Sequence, residues 1–148
     1  MNFERSNVQQ MQGYTSGEQP DSADVIKLNT NENPYPPGPG VAAALADMRV
    51  ESLRRYPLPN ALPLRRKLAA MHDIEPDNIV VTNGGDELLR LLLATFVGVD
   101  ESIATAAPSY SLYDVLAAAH GCRMQHFPLQ ADWHLNPNLA EELNAANT

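Results

Sequence analysis

The segment VTNGGDELLRLLL, residues 81–93, places two glycines and two carboxylates between a β-branched run and a leucine-rich run. Glycines allow the backbone to come close to a ligand, and the first N–H groups of a helix are unpaired and partly positive. Gly84 and Gly85 are therefore compatible with an anion site at a helix N-terminus. Asp86 and Glu87 also stand where acidic side chains stabilise a helix start without any ligand. The segment alone leaves both interpretations open, an anion site or a plain helix cap.

The elements around this segment predict an α/β fold with a mostly parallel sheet flanked by helices. Short connections join alternating strands and helices, which is the pattern of parallel strands with helical crossovers. The leucine-rich helix is apolar nearly all round and is expected to be buried. The predicted elements are strands at 79–82, at 102–106 and in CRMQHFPL, and helices at 88–96 and at 110–119, the latter ended by Gly121.

Two motifs follow the first two predicted strands. Asn83-Gly84-Gly85-Asp86 comes after the first strand, and Ala107-Pro108-Ser109-Tyr110 comes after the second. Ligands of parallel α/β sheets bind beyond the carboxyl ends of the strands, so the two motifs are expected at one edge. An anion site beside the aromatic ring of Tyr110 suits a planar, phosphorylated ligand. The alternative is that Tyr110 only begins a helix and packs on its neighbours.

The first half of the chain is less regular. Residues 1–24 are polar and lack apolar periodicity, which predicts either disorder or an arm lying on another part of the protein. TNENPYPPGPG contains four prolines and two glycines, so it predicts a linker or a functional loop. Further helices are predicted at 41–48, at 61–72 behind the N-cap Asn60, and after the N-cap Asn136 with Pro137 at its first position.

Composition excludes several classes of protein. The net charge of −8 argues against nucleic-acid binding, and short basic runs such as Arg65-Arg66-Lys67 are typical of a solvated helix face. Cys122 is the only cysteine, and the four histidines lack metal-ligand spacing, so neither a disulfide nor a metal site is expected. No apolar stretch reaches the length of a membrane span, and MNFERSNVQQ has no signal core. A cytoplasmic location is expected.

Four stretches resemble, in order, the N-terminal part of histidinol-phosphate aminotransferases. They are IKLNTNENPYPPGP, RYPLPNALPLRRKLA, NIVVTNGGDELLRLLLATF and APSYSLYDVLAAAHG, and the resemblance runs from about residue 8 to residue 148. Members of this family are pyridoxal-phosphate (PLP) enzymes of fold type I, the aspartate-aminotransferase fold. The resemblance implies transfer of an amino group between L-histidinol phosphate and 2-oxoglutarate in histidine biosynthesis, with PLP as cofactor.

The resemblance also implies roles for residues at the sheet edge. The backbone of the turn at Gly84, Gly85 and Asp86 would bind the PLP phosphate at the helix N-terminus. Tyr110 would stack on the pyridine ring. The acidic side chains do not conflict with this arrangement, because backbone amides and side chains can point in different directions.

Further residues are implied on the substrate side and at a subunit interface. Tyr56, in RYP, resembles the tyrosine that reaches the phosphate from the other subunit, so a homodimer with a shared active site is expected. Asn31 and Asn33, in LNTNENP, resemble the segment that lines the substrate side. Tyr14, in MQGYTSGEQP, lies where the family has a tyrosine-bearing arm and is expected to contact the substrate. The partners implied are a small amino donor and a 2-oxo acid.

The catalytic lysine is not expected within this chain. A PLP aminotransferase needs a Schiff-base lysine, an acid at the pyridinium nitrogen and an arginine for the substrate carboxylate. In the family all three lie downstream of the stretch that ends in LNAANT, and neither Lys27 nor Lys67 has a family-like context. The expected organisation is an arm and substrate-side loop at 1–40, part of a small domain at 41–77, and the incomplete start of the PLP-binding domain at 78–148.

Other functions remain open at the level of sequence. One alternative is a related PLP enzyme with another substrate, such as an aromatic aminotransferase or a threonine-phosphate decarboxylase. The other is a non-catalytic remnant that only dimerises or binds phosphate.

Overall fold

A computed structural model describes residues 3–22 and 24–146 of the chain. The chain divides into two compact units. The sheet unit comprises Met1–Thr15 and Thr82–Thr148, and the loop unit comprises Ser16–Val81. The α-helices of the described residues are α1 (Ser6–Gln9), α2 (Pro39–Ala46), α3 (Leu62–His72), α4 (Gly85–Phe96), α5 (Leu112–His120) and α6 (Leu139–Ala145).

The sheet unit is built on two parallel strands, β1 (Ser102–Ala107) and β2 (Arg123–Pro128). Their register pairs Ser102 with Arg123 and Ala107 with Pro128. The helix α5 connects the two strands, and both β2 and α4 pack against it. This is the strand–helix–strand crossover that parallel pairing requires. The predicted α/β class with parallel strands is therefore confirmed.

The core of the sheet unit lies around α5. Gly121 ends the helix as predicted, in the left-handed conformation with φ of 95°, and its N–H bonds the Ala117 carbonyl at 2.8 Å. Leu112, Ala117 and Cys122 are buried around this helix, and Cys122 is a free thiol.

The start of the chain lies on α5 as an arm. The Arg5 guanidinium donates to the Ala119 carbonyl at 2.6 Å, and the Asn7 amide donates to the Ala118 carbonyl at 2.7 Å. These carbonyls belong to the last turn of α5, which has no further helical N–H groups to bond. Of the two predictions for the polar N-terminus, the docked arm is the one found for residues 3–15.

The loop unit contains α2 and α3 and two short 3-10 helices, Val50–Arg54 and Pro76–Asn78. Arg65 contradicts the prediction of a solvated basic face. Its guanidinium bonds the Asp77 carboxylate at 2.7 Å and the Pro76 carbonyl at 2.9 Å, so it ties α3 to the second 3-10 helix.

The predicted strand at 79–82 is wrong. Ile79 has extended backbone, with φ of −120° and ψ of 127°, but the sheet of the described residues contains only β1 and β2. Val80 is 68% exposed and Val81 is 40% exposed. A β-branched run favours extended backbone, whereas a strand also needs a neighbour for its hydrogen bonds, and this segment has none among those residues.

Two predicted N-caps are displaced for one reason. The N-caps are Ala61 and Asn138, whereas the sequence predicts Asn60 and Asn136. The Asn60 side chain accepts a hydrogen bond from the Leu62 N–H at 3.3 Å, and Asn136 accepts one from the Asn138 N–H at 2.9 Å. Each asparagine side chain thus accepts a hydrogen bond from the backbone two residues further on, a turn that asparagine commonly forms. Pro137 consequently lies outside α6.

The leucine-rich helix, whose apolar pattern predicts burial, is largely exposed in this chain. Within α4 no described residue is buried, and Leu91, Leu92 and Phe96 are 42%, 42% and 74% exposed. One side of α4 packs on α5, and the described residues provide no second layer for the other side.

No helix among the described residues is long and apolar enough to cross a membrane.

Candidate cofactor site at the edge of the sheet unit

The turn before α4 presents backbone amides without a side-chain cap. Gly84 is the N-cap, with φ of 80°, a left-handed conformation that favours glycine, and no described side chain caps the helix. The Thr82 hydroxyl donates to the Gly84 carbonyl at 2.8 Å and fixes the turn. The carboxylate of Glu87 accepts hydrogen bonds from the Asn83 N–H at 2.5 Å and from the Asn83 amide at 3.1 Å. Glu87 therefore bonds the residue before the cap and leaves the first helical amides available.

The two glycines open onto free space. A Cβ atom placed on Gly84 or on Gly85 would meet no described atom within 4 Å. The turn therefore has room for a ligand against its backbone. A helix N-terminus with unpaired amides attracts anions, and phosphate is a common ligand of such sites.

Tyr110 lies next to this turn. Its hydroxyl is 3.5 Å from the Asp86 carboxylate, the long limit of a hydrogen bond. The segment that carries Tyr110 follows β1 directly and includes the cis peptide bond Ala107–Pro108. The turn and the APSY motif thus lie at one edge, as predicted, although the strand predicted before the turn is not formed by the described residues. Tyr110 is 42% exposed, so part of its ring stays accessible.

Two other tyrosine rings meet Tyr110 edge-on. The Tyr14 ring lies with its centroid 6.3 Å away at an interplanar angle of 77°, and the Tyr113 ring lies 5.8 Å away at 82°. The arm thus brings Tyr14, a predicted substrate residue, to the same edge as Tyr110. Sequence reasoning did not select Tyr113, which the turn before α5 brings next to Tyr110 through the hydrogen bond from the Tyr113 N–H to the Tyr110 carbonyl at 3.2 Å.

The Tyr110 hydroxyl is held in its neutral form. A hydrogen bond with the Tyr14 side chain, partial burial and the negative charge of Asp86 raise the pKa of Tyr110 to about 12. A tyrosine with its ordinary pKa is already neutral at pH 7, so this shift matters only in the alkaline range.

The remaining predicted residues belong to the loop unit. The Tyr56 side chain is fully exposed, so its ring makes no substantial contact with the described residues. Asn31 adopts a left-handed backbone with φ of 53°, which asparagine tolerates better than most residues. The Asn33 side chain accepts a hydrogen bond from the Tyr35 N–H at 3.0 Å and so shapes the proline-rich loop.

The histidines of the sheet unit and Lys27 of the loop unit have partners within their own units. The described residues contain no group of three or more histidine, cysteine or acidic side chains that could hold a metal ion. His126 instead contacts Asp114 at 2.8 Å, and His120 contacts the Val97 carbonyl at 2.6 Å. Lys27 forms an ion pair with Glu32, and both residues belong to the loop unit.

The sheet edge therefore combines open helix amides with an accessible aromatic ring. The model of the family "Aminotransferase class I and II" matches residues 23–147. The match covers most of the chain, so this protein belongs to the class I and II aminotransferase family.

The chain is also similar to individual curated enzymes. The chain is 45% identical over 126 residues to the histidinol-phosphate aminotransferase of Geobacter sp. (strain M21), covering 84% of this chain and 36% of that enzyme. It is 44% identical over 124 residues to the enzyme of the same name from Microcystis aeruginosa, covering 84% of this chain and 35% of that enzyme. The chain thus spans little more than a third of the length of these curated relatives.

Solved structures agree with the fold. A protein of Erwinia carotovora atroseptica SCRI1043, assigned as a histidinol-phosphate aminotransferase, superposes with a TM-score of 0.73 at 26% identity. The match covers 83% of this chain and 35% of that protein. A protein of Burkholderia pseudomallei K96243, assigned as an aminotransferase, superposes with a TM-score of 0.65 at 31% identity over 77% of this chain and 34% of that protein.

Proposed function

We propose that this chain is the N-terminal part of a PLP-dependent aminotransferase that moves an amino group between L-histidinol phosphate and 2-oxoglutarate. The observation that carries the proposal is the meeting of the open Gly84-Gly85 turn with Tyr110 at one edge of the sheet unit. The names of the relatives, which are 37–45% identical, support the substrate assignment.

The residues present fit a phosphorylated, planar cofactor. The backbone amides of Gly85 and Asp86 bind the phosphate, since no described side chain occupies the helix N-terminus. Tyr110 stacks on the cofactor ring with the exposed part of its own ring. Bound PLP supplies the electron sink that the amino transfer requires. Tyr14, Asn31 and Asn33 are assigned to the substrate side.

A homodimer with a shared active site belongs to this proposal. The full exposure of Tyr56 leaves its ring available for such a contact, and tyrosine is enriched in protein interfaces. In the dimer, Tyr56 of one subunit reaches the phosphate that the other subunit holds. The cytoplasmic location and the division into an arm, a small domain and a PLP-binding domain stay predictions.

The decisive experiment uses the full-length protein that contains this chain. We expect transfer of the amino group from L-histidinol phosphate to 2-oxoglutarate, with phenylalanine and tyrosine as much poorer donors. Higher kcat/KM for an aromatic amino acid, or decarboxylation of threonine phosphate, would replace the substrate assignment. Absence of PLP binding in the full-length protein would favour a non-catalytic remnant and reject the proposal. The coding sequence beyond Thr148 bears on the same question, because a lysine, an aspartate and an arginine in family contexts are required.

Tyr110 provides a test of the cofactor site itself. In the full-length protein we expect Tyr110→Ala to weaken PLP binding by about 1–3 kcal/mol, the scale of stacking between an aromatic side chain and a base. Tyr110→Phe keeps the ring and should lose much less. Equilibrium titration of the cofactor-free protein with PLP measures both. Equal losses for the two variants would mean that the hydroxyl, rather than the ring, holds the cofactor.

A further inference from the structure

Tyr110 owes the orientation of its ring to neighbours rather than to burial. It lies two residues before α5, where the Tyr113 N–H bonds its carbonyl at 3.2 Å, but its side chain lies outside the helix and is 42% exposed. A half-exposed ring in such a place can occupy several rotamers unless other groups restrict it. The proposed stacking role requires one fixed plane, because the cofactor ring must lie parallel to the tyrosine ring at close range.

Two tyrosines from different parts of the sheet unit supply that restriction. Tyr113 is the second residue of α5 and meets Tyr110 at a centroid distance of 5.8 Å and an angle of 82°. Tyr14 comes from the arm and meets it at 6.3 Å and 77°. Both arrangements are edge-to-face, the geometry that the charge distribution of aromatic rings favours. Rotation of the Tyr110 ring would disrupt both contacts at once.

Tyr113 has the firmer support of the two neighbours. It belongs to a regular helix that packs against β2 and whose first residue, Leu112, is buried. Tyr14 is 44% exposed and lies in an irregular segment. The Tyr113 ring is therefore the more rigid of the two surfaces on which Tyr110 rests.

We propose that Tyr113 is a positioning residue that holds the Tyr110 ring in the plane required for stacking on the cofactor. The inference rests on the proposed function, since the stacking partner is PLP. Tyr113 acts through Tyr110 and contributes its ring rather than its hydroxyl, and Tyr14 completes the same arrangement from the arm.

The experiment compares three variants of the full-length protein. Tyr113→Leu removes the ring but keeps an apolar side chain, and Tyr113→Phe removes only the hydroxyl. Trp133→Leu is the control, because Trp133 is an exposed aromatic of the sheet unit outside the site. Two properties are measured: the Kd of PLP for the cofactor-free protein, and the orientation of the Tyr110 ring in crystals of the cofactor-free protein.

We expect Tyr113→Leu to raise the Kd of PLP about three- to tenfold, the scale of one aromatic pair. In the cofactor-free crystals its Tyr110 ring should be turned by more than about 30°, which exceeds the spread within one rotamer. Tyr113→Phe and Trp133→Leu should keep both the wild-type Kd and the wild-type ring orientation.

An unchanged Tyr110 ring and an unchanged Kd in Tyr113→Leu would overturn the proposal. A loss in Tyr113→Phe as large as in Tyr113→Leu would overturn the role of the ring. If Tyr113→Leu does not fold, Tyr113→Met, which fills similar volume without a ring, carries the same expectations. If the wild-type protein binds no PLP, the proposed function fails, and the ring orientation in the cofactor-free crystals alone decides the role of Tyr113.

Discussion

Tyr110 is the residue whose chemistry the tertiary structure changes most clearly. Its pKa of about 12 comes first from the hydrogen bond with Tyr14, then from partial burial and from the charge of Asp86. All three causes favour the protonated phenol. An isolated tyrosine ionises near pH 10, so the folded chain retains a proton that the unfolded chain loses.

This shift predicts how stability depends on pH at the alkaline end. The contribution of Tyr110 to folding is fully present below pH 10 and is lost as the pH rises through about 12. Among the five tyrosines of the chain, one should therefore ionise above the others in a titration of phenolate absorbance. Tyr110→Phe should remove that last step, and Tyr14→Phe should move it to lower pH. If Tyr110→Phe leaves the most alkaline step in place, Tyr110 is not its source.

At the scale of elements, Gly84 and Gly85 at the start of α4 are predicted to have different roles, Gly84 in the shape of the turn and Gly85 in the proposed binding of phosphate. Gly84 has φ of 80° and Gly85 is the first helical residue, yet neither has an atom within 4 Å of the position of a Cβ. The two positions therefore differ in backbone strain but not in space.

In the full-length protein, Gly85→Val should weaken PLP binding by about 1.5–3 kcal/mol, the range of a hydrogen bond to a charged group. The valine side chain would occupy the space over the amides, while the helix tolerates it. Gly84→Ala, in contrast, should lower the free energy of unfolding by more than about 1 kcal/mol, because alanine fits poorly where φ is positive. PLP titration and urea unfolding of both variants test the pair. Unchanged PLP affinity in Gly85→Val would contradict the phosphate assignment.

The exposed side of α4 predicts self-association of the isolated 148-residue chain. Leu92 and Phe96 are 42% and 74% exposed on one helix, and contiguous apolar surface promotes association in water. Sedimentation velocity should detect oligomers or aggregates of the chain, and Leu92→Glu combined with Phe96→Glu should shift it toward the monomer.

A charge-matched control for this prediction exists on α3. Arg66→Ala combined with Lys67→Ala changes the net charge by the same amount, at exposed positions of the loop unit. If this control dissociates the oligomers equally well, net charge rather than the α4 surface governs the association.

At the scale of the whole molecule, the isolated chain should not catalyse transamination. A catalytic lysine must serve as covalent anchor and as acid–base group. The two lysines of the chain are Lys27, which forms an ion pair with Glu32, and Lys67, which is exposed on α3. Borohydride reduction of the purified chain with PLP, followed by mass spectrometry, should reveal no stoichiometric pyridoxyl-lysine. Labelling of a single lysine together with transfer from histidinol phosphate would contradict this prediction.

Local sequence determined the elements whose signals are local. The Gly121 helix end, the strand predicted at 102–106 and the helices α4 and α5 depend on backbone propensity and on spacing within a few residues, and each was predicted, whereas the short helix α1 was not. The NGGD and APSY motifs lie at one edge, as predicted, but the strand at 79–82 on which that prediction rested is not formed by the described residues.

Only the tertiary structure decided the features that depend on distant partners. Residues 79–82 have the composition of a strand, but a strand also needs a neighbouring strand for its hydrogen bonds. No strand of the described residues pairs with this segment. The sequence predicts that Arg65 is a solvated surface charge, whereas the fold brings the Asp77 carboxylate within hydrogen-bond distance of its guanidinium. Tyr14 lies almost one hundred residues before Tyr110, so nothing in the local sequence indicated that their rings meet or that this contact would keep Tyr110 protonated. Contacts of this kind arise from chain topology, which short-range propensities do not specify.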